Sequence, residues 1–511
     1  MKTLFDIPEI RLYPLRPRQI VALEDIRQAI IGGYKRIVMQ ASTGMGKTQI
    51  AAHMIAGALE KGRRPLFTVP RLSLIDQTIR RFEVQGIHDI GVIQGNHHRT
   101  NPDAAVQIAS IQTLVRRSIP EFDFIIQDEC HIQREDWNKL LDSEDWKNKI
   151  VIGLSATPWA KGMGLRWKKL VLTGSTEELI AEGWLTPLIA YGVPSEYMPD
   201  ISKVHINFDG EYVEREAEEA MSTAVIVGNV VATWKEKWGK DKTFMFCVNR
   251  NHGKKMQKEF QDAGISCGYI DGTMNADERE KIFVKYRSGE YRVLSSVDTI
   301  GIGVDEDVRC IIYCRLVKSE MRFVQDIGRG LRLAPEKLFT ILLDHSGTCE
   351  ELGLPTQIYH DHLDMRDPKE KGQPFEGEKT PAKPYKCPSC NAIIPRGREA
   401  CPICHAAFPK SKMPQHVEGD LVLISPEPKK AKSPKPPKSE LSRTEWYGGL
   451  LWIARKRGYK EGWAAMKYRE KFGNWPDGIS KTPTPPKREV LNWDTHQRIR
   501  WAKSKQKGIA Q

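Results

Sequence analysis

The same alternation of short apolar runs and helical stretches occurs twice in this chain, and that limits its possible folds more than any other feature. Between Tyr34 and Pro158 strands are expected at Arg36–Gln40, Pro65–Val69, Val106–Ser110, Phe124–Gln127 and Ile150–Leu154, with helices following from Lys47 and Leu72. A second block begins near Lys242, with strands expected at Phe244–Val248, Cys267–Ile270, Val293–Ser296, Cys310–Cys314 and Phe339–Asp344. Strand–helix alternation predicts a parallel sheet with helices on both faces. The expected fold class is therefore α/β, with two units in tandem. Past Asp344 the alternation stops. The 511 residues suffice for about three domains.

Ala41-Ser-Thr-Gly-Met-Gly-Lys-Thr48 lies between the first strand and a helix, the setting a phosphate-binding loop requires. Gly44 and Gly46 let the backbone of Ser42, Thr43, Gly44, Met45 and Gly46 approach phosphates closely. The helix start adds its positive end. Lys47 would reach the β- and γ-phosphates of ATP, and Thr48 would ligate Mg²⁺. The alternative is a chance glycine-rich turn. Further along, Phe124-Ile-Ile-Gln-Asp-Glu-Cys-His131 is an apolar strand ending in two carboxylates. Asp128 can hold Mg²⁺ and Glu129 can polarise an attacking water.

Asp128-Glu-Cys-His131 resembles the DEAD/DEAH-box signature of superfamily 2 helicases and translocases, in a DECH form. Other motifs of that family follow in order. Leu15-Arg-Pro-Arg-Gln19 resembles the adenine-reading element, which makes Gln19 the base contact. Pro70–Gln77 and Ile108–Leu114 resemble strand-contacting motifs, and Ser155-Ala-Thr-Pro158 the motif that couples hydrolysis to domain movement. Phe246–His252 and Ser296–Asp305 match later motifs, the second carrying the nucleotide-contact positions Gly303 and Asp305. Gln325-Asp-Ile-Gly-Arg-Gly-Leu-Arg332 matches the arginine motif, with Gln325, Arg329 and Arg332 as its catalytic residues. The resemblance covers about Leu15 to Gly347. It implies two tandem RecA-like domains whose shared cleft is finished by Arg329 and Arg332.

The chain departs from the family pattern at Ile302, at Asp307 and at Trp159-Ala-Lys161. The Gly183-Trp-Leu-Thr-Pro187 segment and the Gln-x-x-Gly-Arg-Gly-x-Arg form resemble the branch of DNA repair translocases, restriction motors and phage recombination helicases. That branch implies an ATP-dependent DNA helicase acting in replication, recombination or repair. The alternatives are a double-strand translocase that separates no strands, an RNA helicase, or an ATP-gated nucleic-acid-binding or sensing protein.

Cys387-Pro-Ser-Cys390 and Cys401-Pro-Ile-Cys404 are two C-x-x-C hooks. Four thiolates so spaced predict a Zn²⁺ ribbon, which metal would fold because the segment is too short to bury a core. From Pro381 to Gln511 there are 27 Lys+Arg against 11 Asp+Glu, a net +16, which leaves 51 against 54, a net −3, for the rest. Such asymmetry suits a nucleic-acid-binding tail on a near-neutral body, or else a solvated extension. Trp446, Trp452, Trp463, Trp475, Trp493 and Trp501 are interleaved with basic residues there. Aromatic faces and cations suit bases and phosphates, but Trp446, Trp452 and Trp463 suit the core of a small helical domain equally.

The expected organisation is residues 1–181 for the ATP-binding RecA-like domain and 182–350 for the second. A linker follows at 351–384, the zinc ribbon at 385–409, a Pro/Lys-rich linker at 410–440, and a basic, mostly helical module at 441–511. The chain has 40% hydrophobic and 28% charged residues, which excludes wholesale disorder. No run approaches the length of a membrane helix. The first residues lack a secretory core, and ten cysteines are too few for a disulfide scaffold, so a cytoplasmic protein without membrane partners is expected.

Overall fold

A computed structural model describes residues 10–95, 97–117, 119–193, 197–207, 210–222, 224–297, 306–367, 383–408, 441–495 and 497. Gly303, Asp305, Trp501 and the Pro/Lys-rich linker lie outside the described residues. The chain divides into two compact units, Met1–Ser411 and Lys412–Gln511.

The first unit holds two sheets. One is formed by β1 (Arg36–Gln40), β2 (Pro65–Val69), β3 (Ile90–Ile93), β4 (Val106–Ser110), β5 (Phe124–Asp128), β6 (Ile150–Ser155) and β7 (Lys169–Leu172), in the order β3-β4-β2-β5-β6-β1-β7. Every pairing in it is parallel. Strands β1, β2 and β4 are buried along their whole length, as expected of a parallel sheet covered on both faces. Sequence reading misses β3 and β7, the two edges, where runs are four residues long and, in β7, only Val171 is buried.

The second sheet comprises β8 (Leu188–Gly192), β9 (Thr243–Cys247), β10 (Cys267–Asp271), β11 (Val293–Val297), β12 (Cys310–Cys314), β13 (Thr340–Asp344), β14 (Tyr385–Lys386) and β15 (Ala392–Ile394). Its order is β10-β11-β9-β12-β13-β8-β15-β14. The six strands from β8 to β13 pair in parallel, whereas β15 runs antiparallel to β8 and β14 antiparallel to β15. The cysteine-hook segment is therefore no separate bead. It extends the sheet edge, and Ile393 packs into the same core as Phe244, Ile311 and Leu342. Gly192 N–H donates to Asn391 O at 3.1 Å. At Gly192 a side chain would press on Ile393 Cδ1 at 3.0 Å, which fits the close approach of the ribbon.

Residues 351–367, expected as linker, are also packed. Leu354 and Ile358 are buried in the core of the second sheet, while Leu363 packs on the first body beside Met163 and Trp167. The linker reading holds at most for 368–382, which lies outside the described residues.

The second unit is a small helical module. Its helices Arg443–Lys456 and Glu461–Phe472 bury Trp446, Leu450, Ile453 and Tyr468, and a capping box of Ser442 and Glu445 starts the first. Met466 of the second helix is 63% exposed.

Ile393→Ala should unseat the ribbon from β8 and lower global stability by about 2–4 kcal/mol. Chemical denaturation measures the loss. Amide exchange should quicken at Gly192, whose N–H the ribbon carbonyl holds.

Candidate functional site

The sheet order brings the chemistry to one crevice. In the first body β5, β6 and β1 are neighbours, so Asp128, Ser155 and the loop after Gln40 emerge at the same carboxyl-end edge, where open α/β sheets bind ligands. The loop is held open by backbone only glycine adopts freely. Gly44 and Gly46 have φ of 92° and 90°. A Cβ on Gly44 would strike Leu185 Cδ2 at 2.8 Å, and one on Gly46 would strike Gln19 Nε2 at 2.5 Å. Gly46 precedes the helix Lys47–Leu59, whose N-terminus faces the crevice.

Lys47 Nζ donates to Glu129 Oε1 at 2.8 Å, and the two side chains are only 16% and 14% exposed. Burial is the strongest influence on Glu129 and opposes its charge, yet Lys47 foremost, with Arg329 from across the cleft, holds its pKa well below the ordinary value. Asp128 moves the other way. Burial and then the charge of Glu129 push its pKa up. Glu129 Oε2 is buried without a hydrogen bond. His131 Nδ1 lies 3.3 Å from that oxygen, and Glu129 lines the same cavity as Asp128 and Thr48, which suits a site that takes Mg²⁺ or its water.

His131 ties three motifs together. Its Nδ1 meets Ser155 Oγ at 2.9 Å, and its Nε2 faces Gln325 Nε2 at 3.2 Å. Burial lowers its pKa, so the imidazole is neutral and can accept from the Gln325 amide. Gln325 also donates to Thr157 Oγ1 at 2.7 Å. The helix Glu320–Gly328 of the second body thus reaches the first. At its end Gly328 lies so near the loop that a Cβ would meet Thr43 Cβ at 2.8 Å. Arg329, Arg332, Lys47, Thr48, Asp128 and Glu129 all line one cavity of about 620 Å³. That size suits a small-molecule ligand.

Gln19, expected as a base contact, is fully buried under the loop. Its amide donates to Met45 O at 2.7 Å and accepts from Arg16 N–H at 2.8 Å, so it supports the loop directly. Ser42 Oγ turns to Gly174 O at 3.5 Å. Sequence reading gave no role to Arg16, which stacks 4.6 Å over Trp184 and reaches Gly44 O, nor to Arg81, whose Nη1 is 3.5 Å from Thr48 Oγ1. Both arginines and Trp184 line the cavity. Lys337 was also missed. Its Nζ donates to Gly330 O and, at 2.8 Å, to Arg332 O, and Thr186 holds Leu331 O. These bonds clamp the backbone of the arginine loop, and burial lowers the Lys337 pKa to about 8.

Outside the crevice, the Sγ atoms of Cys387, Cys390, Cys401 and Cys404 lie within 4.8 Å of one another, a set able to hold one metal ion. The other six cysteines are buried in the sheets or motifs. In the helical module Trp446 is core, while Trp452, Trp463 and Trp493 are only partly buried and Trp475 is 45% exposed beneath Arg469.

Comparison with known proteins agrees with this geometry. Residues 12–160 match the family "Type III restriction enzyme, res subunit", and residues 226–334 match "Helicase conserved C-terminal domain". Both matches, with the order of the motifs, support a superfamily 2 helicase or translocase related to the restriction motors. The chain is 29% identical, over 70% of its length and 75% of the other's, to a 51.5 kDa protein of a Lactococcus phage. It is also 29% identical to a Saccharomyces cerevisiae protein named as an ATP-dependent helicase, IRC3, over 65% of this chain and 51% of that protein. The chain thus spans three quarters of the phage protein and about half of the yeast one. A solved fragment assigned to the HsdR subunit of a type I restriction enzyme from Vibrio vulnificus shares the fold, with a TM-score of 0.53 and 19% identity over 70% of this chain and 71% of that one. Among the described residues no helix is long and apolar enough to cross a membrane.

The raised pKa of Asp128 has a measurable consequence. Metal binding needs the carboxylate, so protons should compete with Mg²⁺ at a pH still above the ordinary carboxyl value of 3.8. Titration calorimetry of Mg²⁺–nucleotide binding should show affinity falling as pH drops toward that value. Asp128→Asn should bind weakly and lose this pH dependence.

Proposed function

We propose that this chain is a nucleic-acid-stimulated ATPase that acts as a DNA motor, a helicase or branch-migration enzyme. The observation that carries the reading is the single cavity lined by Lys47, Asp128 and Glu129 of one body and by Arg329 and Arg332 of the other. Phosphoryl transfer needs its developing charge neutralised from several sides, with little covalent chemistry from the protein. Lys47 and the loop amides cradle the phosphates. Thr48 and Asp128 would hold Mg²⁺, which would neutralise charge on the phosphate oxygens. Glu129 orients and polarises the attacking water. Arg329 and Arg332 supply positive charge at the γ-phosphate only while the bodies are together, and this ties hydrolysis to opening and closing. DNA is favoured because the matching family is that of a restriction-enzyme subunit. The assignment of Gln19, Gly303 and Asp305 to nucleotide binding belongs to the same proposal.

The helical module is the further nucleic-acid contact. Its residues 441–497 carry 11 Lys+Arg against 6 Asp+Glu, and Trp475 and Tyr459 are exposed among them. Bases can stack on such rings while phosphates pair with the cations. Cys387, Cys390, Cys401 and Cys404 would hold Zn²⁺ as a structural ion, which would fix the fold of the ribbon that pairs with β8.

Phosphate release measured with duplex, forked and single-stranded DNA and with RNA tests the reading. DNA should accelerate turnover, and Lys47→Ala should abolish it with the fold retained. Unstimulated turnover on every substrate would refute the motor. Strand displacement and triplex displacement then separate unwinding from translocation along duplex. Removing 441–511, which leaves the ribbon on its sheet, should weaken DNA binding and flatten its salt dependence. An unchanged slope would place the phosphate contacts elsewhere.

A further inference from the structure

The loop after Ser155-Ala-Thr-Pro158 carries Trp159, and this tryptophan leaves its own body. It packs against the core of the second body, the cluster that includes Phe323, Val324 and Ile358. Its ring lies 4.8 Å from that of His360, edge to face at 78°. His360 Nε2 in turn meets Glu320 Oε2 at 2.7 Å, with side-chain exposures of 14% and 27%. Glu320 is the first residue of the helix that ends beside Arg329.

His360 belongs to the segment expected as linker. That segment is fastened at both ends. Leu354 and Ile358 are buried in the second body, whereas Leu363 packs on the first and Asp364 O accepts from Gly164 N–H at 2.8 Å. At Gly164 a Cβ would collide with Met365 Sδ, which only glycine avoids. Tyr359 stands in the field of Glu178 and Arg18, both of the first body. Residues 354–366 therefore form a strap across the two bodies.

The helix Glu320–Gly328 is thus attached to the loop 155–161 at two points. One is direct, Gln325 to Thr157. The other runs from Glu320 through His360 to Trp159. A single contact would let the helix pivot about it, while two fix its direction and hence the aim of Arg329. We propose that His360 is a positioning residue, which through Trp159 and Glu320 makes the strap a second coupling between the post-Pro158 loop and the arginine helix. Trp159 and His360 meet edge to face across the two bodies.

The inference rests on the ATPase reading, and the test separates the two. ATP turnover of the full chain is measured with and without DNA for wild type, His360→Ala, Trp159→Ala and the double variant. The ratio of stimulated to unstimulated kcat should fall about five- to tenfold in each single variant, within the usual range of a coupling between sites. KM for ATP should move less than about twofold, because neither residue lines the nucleotide cavity. The double variant should be no worse than the lower single, as expected of residues acting through one contact. Trp159→Phe, which keeps a ring against His360, should restore most of the ratio. Melting curves accompany each variant. If His360→Ala melts early, His360→Gln, which keeps a donor for Glu320 but removes the ring, must show the lowered ratio at wild-type melting temperature. Wild-type ratios in the variants, or single effects that multiply in the double, would overturn the strap while leaving the ATPase reading intact. A wild type that DNA does not stimulate would remove both.

Discussion

The ion pair between Lys47 and Glu129 organises this structure. Two charges 2.8 Å apart, each about 15% exposed, can be held there only because they neutralise each other. Removing one partner of such a pair typically costs about 3–5 kcal/mol. An incoming phosphate must therefore offer Lys47 at least as much as Glu129 does, and a triphosphate against the loop amides can. Under the proposed mechanism that exchange would free Glu129 to act on water. Binding and activation are in this way one event. Burial and the charge of Glu129 raise the pKa of Asp128, and a cation arriving at the site would offset that charge and favour its carboxylate form.

The second constraint is how closely the two bodies approach. Gly328 against Thr43, and Gly44 against Leu185, leave no room for a Cβ. The arginine loop is set by its backbone, through Lys337 and Thr186, so its side chains can point into the cleft. The contacts His131–Gln325 and Trp159–His360 carry the loops after β5 and β6 to the same helix. Closure thus places phosphate cradle, water-activating carboxylate and arginines in register at once.

Much of this was legible in the sequence, and the reason is physical. A central parallel strand must be apolar throughout, so β1, β2, β5 and β9 stand out as runs, and a phosphate loop needs its glycines and lysine contiguous. Edge strands such as β7 bury little and leave no such trace. Arg81 and Lys337 act through contacts that fold together distant segments, and an isolated basic residue in a helix or loop carries no local signal. The strap was misread because Pro355, the two histidines and the charges of 360–367 have the composition of a linker, although Leu354, Ile358 and Leu363 anchor it. The ribbon likewise read as a domain of its own, since its thiols announce metal while its pairing with β8 depends on a strand about two hundred residues earlier. That pairing also changes the charge reading. Residues 1–408 hold 55 Lys+Arg and 55 Asp+Glu, so the entire net +13 lies from Pro409 onward, with 23 against 10. The body that binds nucleotide is neutral overall, and long-range attraction for a polyanion falls to the C-terminal region.

The account stands or falls on whether the second body completes the ATP site. The most direct measurement is single-turnover phosphate release by Arg329→Ala on saturating DNA, alongside its nucleotide affinity. The account predicts a rate lowered by about a thousandfold or more, as for loss of an arginine finger, with nucleotide affinity changed less than about tenfold. A rate near wild type would show that the first body hydrolyses ATP alone, and the shared cleft would lose its meaning.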